Sequence, residues 1–384
     1  MNKEDFVIIQ GNCLKTLKSL EDKSVRCCIT SPPYYGLRDY GTGKWVGGDP
    51  NCNHYRDTKQ SEFTVTGHKH MQDSGQAIGD AIYKSVCPKC GAVRVDEQIG
   101  LEETPQEYIN RLVDVFREIR RILKDDGTLW VNIGDTYAYQ NSCNHNFDYD
   151  KGRGSNNENI SKRKFDDSIK HKDLIGIPWL FAFAMRDDGW YLRQDIIWAK
   201  TNPMPESVED RCTKSHEYIF LFSKSSDYYF DFESIQEDSI EDVAGTKFGG
   251  NKYGGNGEQF VNKSAGIYSG NEYVSSGKRR KRDVWFVGVN SYKGAHFATY
   301  PIELITPCVL AGSHKNDTIL DPFSGSGTTG LVALANDRKY IGCELNEEYI
   351  ELSHKRLNEE LFGVSSDSKN IQDEKYNKVS LIDF

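Results

Sequence analysis

The sequence predicts an α/β fold of the Rossmann-like type, in which helices flank a mainly parallel sheet. Short apolar runs alternate with segments whose apolar residues recur at helical spacing, a pattern typical of parallel α/β proteins. A glycine-rich stretch at residues 325–330 lies between a predicted strand and a predicted helix, as in nucleotide-binding folds. The 384 residues suffice for one large α/β domain with insertions, or for two domains.

The first half of the chain contains three predicted strands and two predicted helices. Strands are expected at residues 6–9, 25–30 and 128–133, helices at 12–20 and 105–123, and a turn at 125–127. Pro32 and Pro33 end the second strand, because proline has no amide hydrogen to donate within a sheet. Thr104, Pro105 and Glu107 predict the start of the long helix, as its N-cap, its first residue and the partner in a capping box.

The second half continues the alternation up to a polar tail. Helices are expected at residues 174–185, 301–310, 328–336 and 347–360, and strands at 191–199, 218–223, 318–320 and 339–344. Polar stretches at residues 42–99, 139–172 and 238–277 interrupt the pattern and look like insertions or loops. No internal repeat is visible.

The chain is acidic overall, with a net charge of −9 and an isoelectric point near 5.6. This total does not exclude a nucleic-acid partner, since the charge on one face is the relevant quantity. The main basic run is Lys278, Arg279, Arg280, Lys281 and Arg282, either a solvated loop or a set of phosphate contacts. No long apolar run and no secretory signal are present, so a cytoplasmic location without membrane contact is expected.

The glycine-rich turn predicts a site for a nucleoside-bearing cofactor. Glu344 ends the next strand, about twenty residues on, where an acid can accept ribose hydroxyls. A phosphate-binding loop requires lysine before its Ser/Thr, whereas Gly327 precedes Thr328. A dinucleotide requires a second mononucleotide-binding half, and the residues that follow the glycine-rich turn are too few to form one. Asp321 before the turn suits an ammonium group, so S-adenosylmethionine, with adenosine and ammonium but no phosphate, fits this pattern.

The tetrad Ser31-Pro32-Pro33-Tyr34 predicts a grip on an exocyclic amino group. Such a nitrogen is a poor nucleophile because its lone pair is delocalised into the ring. Ser31 Oγ and the Pro32 carbonyl oxygen can accept its two hydrogens, Pro33 stiffens the turn, and Tyr34 can stack on the base. A base in a duplex must flip out to reach such a pocket, and catalysis then consists mainly of positioning and polarisation.

Together these segments resemble the motifs of the beta group of DNA amino-methyltransferases. Residues 321–328 resemble the group's S-adenosylmethionine motif and residues 30–34 its catalytic motif. The catalytic motif comes first, which is the circularly permuted order of that group. Segments 126–130, 198–200, 215–218 and 296–301 also resemble the group. The resemblance implies a methyltransferase fold whose cofactor contacts are Asp321, Pro322, Phe323, Ser324, Gly325, Ser326, Gly327, Thr328, Glu344, Phe297, Thr299, Pro301, Asn12 and Cys13. Asn12 stands where the group usually has an aspartate, so no charge is available there.

Within that group, serine at the first position of the tetrad is typical of cytosine-N4 methylation, and aspartate of adenine-N6 methylation. The resemblance therefore implies a cytosine-N4-specific DNA methyltransferase, with adenine N6 as the alternative. Carbon-5 methylation through Cys308 is not favoured, because no Glu-Asn-Val partner is present and Cys308 lies on an apolar helical stripe. A methyltransferase for structured RNA and a catalytically inactive, zinc-bearing DNA-binding module are further alternatives.

A cysteine cluster in the first polar stretch predicts a structural zinc site. Cys87 and Cys90 form a Cys-x-x-Cys knuckle, and Cys52 and His54 lie upstream as the remaining two ligands. His68 or His70 can replace His54, and reduced thiols in a loop are the alternative. Four protein ligands would leave no open position for catalysis.

The expected domain organisation follows from these motifs. It comprises a catalytic half at residues 1–41 and 100–231, a zinc-binding insertion at 42–99, a target-recognition region at 232–284, an S-adenosylmethionine-binding half at 285–362, and a polar tail at 363–384. Double-stranded DNA is the expected partner, contacted by residues 278–282. The sequence leaves open whether the protein forms a homodimer and whether it has a cognate restriction endonuclease as a partner.

Overall fold

The structure is a computed structural model that describes residues 5–36, 40–54, 86–138, 169–239, 247–248, 273–274, 276–289 and 299–362. The helices are α1 Cys13–Thr16, α2 Pro105–Ile122, α3 Ile177–Asp187, α4 Ile302–Gly312, α5 Thr328–Ala335 and α6 Glu347–Phe362. The strands are β1 Phe6–Gln10, β2 Val25–Thr30, β3 Lys44–Val46, β4 Val93–Val95, β5 Leu123–Ile133, β6 Tyr191–Lys200, β7 His216–Ser223, β8 Glu237–Asp238, β9 Lys247–Phe248, β10 Tyr273–Val274, β11 Lys278–Arg279, β12 Val284–Val287, β13 Thr318–Asp321 and β14 Lys339–Glu344.

Eight strands form one sheet in the order β1-β14-β13-β2-β5-β7-β6-β12. Neighbouring strands run parallel except that β7 is antiparallel to both β5 and β6. The mainly parallel sheet predicted from the sequence is therefore confirmed. Three pairs of short antiparallel strands lie outside it, β3 with β4, β8 with β11, and β9 with β10.

Helices cover both faces of this sheet. On one face, α2 and α3 bury Leu112, Phe116 and Phe181 in one core cluster. On the other face, α4 and α5 bury Leu304 and Leu334 in a second cluster. Strands β2 and β5 are covered on both sides, which explains why their apolar residues follow one another instead of alternating with polar ones.

The long helix α2 begins as its sequence predicts. The Glu107 amide donates to Thr104 Oγ1 at 3.2 Å, and the Thr104 amide donates back to Glu107 Oε2 at 3.1 Å. This capping box satisfies two amide groups that the helix itself leaves without partners, and an N-cap contributes about 1 kcal/mol. The helix is thereby fixed a few residues after Glu97, Gln98 and Ile99, which line the cavity described below.

Three predicted boundaries differ from the structure. The helix expected at 12–20 is only α1 followed by a 3₁₀ turn, because the Ser19 hydroxyl bonds back to the Thr16 carbonyl and the chain then becomes extended. Residues 125–127 do not separate a helix from a strand. They form an irregularity within β5, which pairs Leu123 with Val25 but Thr128 with Cys27. Helix α3 begins at Ile177, after Gly176 in a left-handed conformation, and not at residue 174.

The predicted domain boundaries stay a prediction. Strand β12 belongs to the main sheet through its pairing with β6, so the proposed border at residue 284 falls at the first residue of a sheet strand. The predicted tail at 363–384 lies outside the described residues. Among the helices that the structure describes, none has both the length and the apolar composition needed to cross a bilayer.

Candidate active site

Two turns that are distant in sequence lie side by side at one edge of the sheet. Strands β2 and β13 are parallel neighbours, with Cys28 paired to Leu320, so their carboxyl ends meet. The turn with Ser31–Tyr34 follows β2, and the glycine-rich turn follows β13. Thr30 Oγ1 donates to Asp321 Oδ1 at 2.6 Å and joins the two strand ends. Parallel α/β sheets bind ligands at such an edge, so this is where a site is expected.

One cavity opens between the two turns, and residues of both turns line it. We call one part the glycine-turn end, lined by Asn12, Phe323, Ser324, Gly325, Ser326 and Glu344. We call the other part the tyrosine end, lined by Ser31, Pro32, Tyr34, Asn132, Lys200 and Glu217. Pro33, Pro322, Thr328, Thr299 and Cys13 line the cavity as well. The cavity therefore joins the predicted cofactor and catalytic segments.

The glycine-turn end is shaped by backbone geometry. Gly325 and Gly327 adopt positive φ angles of 51° and 76°, which side chains disfavour. The Gly325 amide donates to Glu344 Oε2 at 2.8 Å, and the Asn346 amide donates to Glu344 Oε1 at 2.9 Å. Burial raises the pKa of Glu344, and these amides oppose that shift. Each oxygen of the Glu344 carboxylate retains a lone pair that can accept a ligand hydroxyl.

Asp321 lies behind the glycine turn and does not line the cavity. Its side chain is 1% exposed and accepts from Thr30 Oγ1, from the Phe323 amide at 3.0 Å, from Thr329 Oγ1 at 2.7 Å and from the Tyr300 hydroxyl at 3.2 Å. Burial raises the pKa of Asp321, and these donors oppose the shift. The structure thus departs from the expectation of a direct ligand contact, because protein donors already occupy this carboxylate.

Two other described residues of the expected cofactor site, Gly327 and Pro301, do not line the cavity. Gly327 is the N-cap of α5, and a Cβ at its position would lie 3.2 Å from Ser353. Pro301 precedes α4, and it does not line the cavity. Phe297 lies outside the described residues. Gly327 therefore has a packing role in the turn.

The tyrosine end is held by a network of side chains. The Tyr34 hydroxyl lies 2.6 Å from Glu217 Oε2 and 3.1 Å from Asn132 Oδ1. Glu217 also accepts from Asn132 Nδ2 at 3.2 Å and forms an ion pair with Lys200. Burial, and next the charge of Glu217, raise the pKa of Tyr34 well above its usual value, so the phenol keeps its proton at neutral pH. A Cβ on Gly134 would lie 2.7 Å from Tyr34 Cε2, so that glycine makes room for the ring.

Two oxygen atoms of the tetrad remain available to a ligand. Ser31 Oγ lies 3.5 Å from Asn132 Oδ1, an arrangement in which the hydroxyl donates and its lone pairs stay free. The Pro33 carbonyl accepts from the Tyr108 hydroxyl at 2.9 Å. The Pro32 carbonyl oxygen accepts no hydrogen bond from the residues that the structure describes. Ser31 and Pro32 therefore have the free acceptor atoms that the sequence argument requires.

Sequence reasoning assigned no role to several residues that line this cavity, among them Asn132, Lys200, Glu217, Trp198 and Tyr300. A signal existed for Asn132, which is 4% exposed, directly follows the apolar run 129–131 of β5 and lies near the carboxyl end of that strand. Residues 198–200 and 215–218 were noted only for their resemblance to the beta group. Their meeting beside Tyr34 depends on the antiparallel pairing of β6 with β7, which no local pattern predicts.

The cysteine cluster is assembled in the structure. The ligand atoms of Cys52, His54, Cys87 and Cys90 all lie within 4.8 Å of one another. The two sulfurs of Cys52 and Cys87 are 3.8 Å apart, and Cys90 Sγ is 3.6 Å from His54 Nδ1. Ligands on a tetrahedral zinc ion, at about 2.0–2.3 Å from it, lie about 3.3–3.8 Å from one another. The donor set and spacing fit zinc. His68 and His70 lie outside the described residues.

The basic run at residues 278–282 is partly paired with acids. Lys278 contacts Asp238 at 2.5 Å, and Arg279 and Arg282 contact Glu237 at 3.3 and 3.0 Å. Arg280 lies over the Phe232 ring and Lys281 over the Trp285 ring, each 5.0 Å from the ring centroid. Exposed ion pairs contribute only about 0–1 kcal/mol, so phosphates can replace these acids at little cost. DNA contact by this run stays a prediction.

Known proteins resemble this chain over most of its length. A family model described as a DNA methylase matches residues 25–355. The Type II methyltransferase M.Cfr9I of Citrobacter freundii is 38% identical over 350 residues, covering 91% of this chain and 87% of that protein. The Type II methyltransferase M.SmaI of Serratia marcescens is 37% identical over 357 residues, covering 93% and 92%.

A solved structure shares the fold at low sequence identity. The PvuII DNA methyltransferase, which is cytosine-N4-specific, superimposes with a TM-score of 0.50 at 16% identity. The match covers 91% of this chain and 85% of that chain. At this identity the similarity concerns the fold alone.

Proposed function

The chain belongs to the DNA methylase family, and from that premise we propose that it methylates the exocyclic amino group of a flipped base in double-stranded DNA. We propose S-adenosylmethionine as the methyl donor and cytosine N4 as the acceptor. The observation that carries the proposal is the single cavity shared by the tetrad Ser31–Tyr34 and the glycine-rich turn. Methyl transfer requires a donor site and an acceptor site that open towards each other.

The glycine-turn end suits the cofactor. Glu344 offers carboxylate oxygens to ribose hydroxyls, and Phe323 offers an apolar surface beside the turn. When bound, S-adenosylmethionine supplies an electrophilic methyl group on a sulfonium centre. Asp321 would act indirectly, by fixing the turn through Thr30, Thr329 and the Phe323 amide.

The tyrosine end suits the amino group of the base. Ser31 Oγ and the Pro32 carbonyl oxygen would accept its two hydrogens and turn the nitrogen lone pair outward. Held in this way, the nitrogen would face the glycine-turn end, where the bound cofactor would supply its methyl group, and the nitrogen would lose one proton to water. Tyr34 would stack on the base, with its ring held by Glu217 and Gly134. These contributions are positioning and polarisation without a covalent intermediate.

The choice of cytosine rests on Ser31 at the first position of the tetrad. Digestion of DNA methylated by the protein to nucleosides, followed by mass spectrometry, tests it. N4-methyldeoxycytidine is the expected product. If N6-methyldeoxyadenosine is the only product, the methyl acceptor is adenine N6 and not cytosine N4. The product 5-methyldeoxycytidine would refute transfer to an amino group. Activity on transcripts but not on duplex oligonucleotides would indicate an RNA substrate.

Calorimetry tests the cofactor site separately. Wild-type protein is expected to bind S-adenosylmethionine with one site per chain. A protein that binds duplex DNA but neither S-adenosylmethionine nor its demethylated product would instead be an inactive DNA-binding module.

We further propose that Cys52, His54, Cys87 and Cys90 bind one structural zinc ion. The support is that three sulfurs and one imidazole nitrogen lie within 4.8 Å of one another, with two of the pairs at 3.8 and 3.6 Å, as a tetrahedral zinc ion requires. Elemental analysis of protein purified without added metal should find one zinc per chain, and Cys87→Ser/Cys90→Ser should lose it. A wild-type protein without metal would leave reduced thiols as the correct interpretation.

The partners of the enzyme are also proposals. The basic run at residues 278–282 would contact DNA phosphates, while few residues read base edges. A homodimer, which size-exclusion chromatography with light scattering tests, and a cognate restriction endonuclease fit a Type II modification enzyme. DNA from a methylation-free host expressing this chain should resist the endonuclease that reads the same sequence. A cytoplasmic location stays a prediction.

A further inference from the structure

The two chain segments that border the cysteine cluster form one wall of the cavity. Tyr40 and Thr42 precede the ligands Cys52 and His54, while Glu97, Gln98 and Ile99 follow the ligands Cys87 and Cys90. All five wall residues line the cavity. The cluster thus lies between two contributions to the same wall, although none of its ligands lines the cavity.

Hydrogen bonds connect the two sides of this wall. Thr42 Oγ1 donates to Asp96 Oδ1 at 2.8 Å, and the Tyr40 amide donates to Gln98 Oε1 at 2.8 Å. The Gln98 amide donates to Asp96 Oδ1 at 3.0 Å, which fixes the acid that Thr42 contacts. Each side therefore depends on the position of the other.

The wall also touches both ends of the cavity. At the glycine-turn end, Asn12 Nδ2 donates to the Glu97 carbonyl and Asn346 Nδ2 to the Tyr40 carbonyl, each at 3.3 Å. At the tyrosine end, the Gly36 amide donates to the Gly100 carbonyl at 2.7 Å. Displacement of residues 96–100 would therefore disturb Asn12 and the turn that follows Tyr34.

In the described part of this insertion, burial of apolar side chains does little to hold the chain in place. Val46, Val93 and Val95 of the antiparallel pair β3–β4 are 59%, 47% and 48% exposed. Within described residues 40–54 and 86–96, the only buried apolar side chains are those of Cys87 and Ala92. An antiparallel pair of two three-residue strands is marginal without further support. Coordination of a metal by four side chains is the strongest constraint available to it.

The cluster also contacts both strands of the β3–β4 pair or the residues beside them, and this pair leads to the wall. The Trp45 ring of β3 stacks on His54 at 4.4 Å between ring centroids. The Cys87 amide donates to the Ala92 carbonyl at 2.8 Å, which starts the turn into β4. Strand β4 ends at Val95, directly before Asp96.

We infer that the zinc cluster positions the wall of the cofactor cavity, so that zinc and S-adenosylmethionine each strengthen the binding of the other. The inference rests on the proposed function, because it presumes this cofactor in this cavity. The ligands do not touch the cofactor, and the coupling passes through residues 40–42 and 96–100. Coupling between two binding sites is reciprocal, so the same factor applies in both directions.

Removal of zinc from the full chain tests the first direction. Calorimetry measures the dissociation constant of S-adenosylmethionine before chelation, after chelation and after zinc is restored. Removal is expected to weaken binding roughly 5- to 150-fold, the usual range for coupled sites, and restoration to recover it. Equal affinity in all three states would overturn the inference and leave the proposed function intact. A zinc-loaded protein that fails to bind S-adenosylmethionine would instead refute the proposed function.

Zinc release tests the reverse direction without measuring activity. A chromogenic chelator reports the zinc released at equilibrium, with and without saturating S-adenosylmethionine. The cofactor is expected to lower the apparent zinc dissociation constant by the factor found in calorimetry. Unchanged zinc release would contradict the coupling.

Variants distinguish positioning of the cavity wall by the cluster from unfolding of the protein. Cys87→Ser/Cys90→Ser should reproduce the zinc-free affinity, whereas Cys212→Ser, at an exposed cysteine outside the cluster, should match wild type. If circular dichroism shows that the zinc-free protein unfolds, the variant Thr42→Val tests the coupling instead. It removes the contact with Asp96 and leaves all four zinc ligands in place. Thr42→Val is expected to keep one zinc and bind the cofactor several-fold more weakly. Full affinity in that variant would overturn the inference.

Discussion

The glycine-turn end and the tyrosine end belong to one cavity but are constructed differently. Most of the glycine-turn end comes from one continuous stretch, residues 323–326, with Glu344 on the neighbouring strand. The tyrosine end comes from four strands, with Ser31 after β2, Asn132 on β5, Lys200 on β6 and Glu217 on β7. The first end is shaped by backbone conformation, and the second by contacts between side chains far apart in sequence.

This difference predicts different consequences of substitution. A change at the glycine-turn end should affect both the stability of the fold and cofactor binding, because buried backbone and side-chain groups depend on each other there. A change at the tyrosine end should mainly affect turnover, because its network holds a ring and a charged pair in place. The following predictions are ordered from the largest expected effect to the smallest.

Asp321→Ala should cause the largest loss. It leaves the hydroxyls of Thr30, Thr329 and Tyr300 and the Phe323 amide without their buried acceptor. An unsatisfied buried group costs about 1–3 kcal/mol, so the free energy of unfolding should fall by about 3 kcal/mol or more. Urea unfolding measures stability, and calorimetry should detect no cofactor binding.

The matched control is Asp114→Ala, at an exposed ion pair with Arg117 on helix α2. Such a pair contributes about 0–1 kcal/mol, so stability and cofactor affinity should stay close to wild type. An Asp321→Ala protein as stable as this control, with full cofactor affinity, would mean that the glycine-turn end does not depend on its buried network.

Glu217→Gln should lower turnover without weakening cofactor binding. The substitution removes the charge that faces Lys200 and weakens the hold on the Tyr34 hydroxyl. Misplacement of a positioned group by about 1 Å can cost about 100-fold, so kcat should fall by about 10- to 100-fold. Single-turnover kinetics measure the rate, and calorimetry measures the unchanged cofactor affinity.

A double-mutant cycle with Tyr34→Phe tests whether Glu217 acts through the tyrosine. If it does, the double variant should lose little more than the stronger single variant. The control Glu209→Gln, at an exposed residue, should keep wild-type turnover. A weakened cofactor affinity in Glu217→Gln would remove the distinction between the two ends.

Gly134→Ala should have a smaller effect at the same end. The added Cβ would lie 2.7 Å from Tyr34 Cε2, so the ring must move away. We expect kcat to fall by about 10-fold, because a small displacement weakens the stacking position without removing the ring. Turnover and cofactor affinity should again be measured together. Unchanged turnover would show that the position of the ring is not limiting.

Substitutions in the basic run at residues 278–282 should have the smallest effect. This run lies outside both ends of the cavity. Arg280→Ala and Lys281→Ala should each weaken DNA binding a few-fold. Each should also reduce the slope of log affinity against log salt by about 0.9, the value for one lost phosphate contact. Fluorescence anisotropy over a salt series measures both, with Lys315→Ala as a control at an exposed ion pair. An unchanged slope would remove this run from the DNA interface.

Short sequence patterns predicted the helix caps, turns and strand ends that depend only on neighbouring residues. The capping box at Thr104, the turn with Gly325 and Gly327, and the end of β2 at Pro32 all follow from preferences of neighbouring residues. The irregularity at residues 124–127 of β5 was missed, because it arises from pairing with β2 and not from the Asp-Asp-Gly sequence itself. The buried role of Asp321 was also missed, since its partner Thr30 lies 291 residues away.

The sequence by itself determined the α/β class, the glycine turn, the tetrad and the identity of the four candidate metal ligands, because these depend on residue type and short spacing. Only the tertiary structure decided that Glu217 meets Tyr34 across 183 residues, that Asp321 supports the turn from behind, and that the cluster borders the cavity wall. The physical reason is that short-range conformational preferences depend only on residues that are adjacent in sequence. The order and direction of the strands, by contrast, bring distant side chains together only when the whole sheet is assembled.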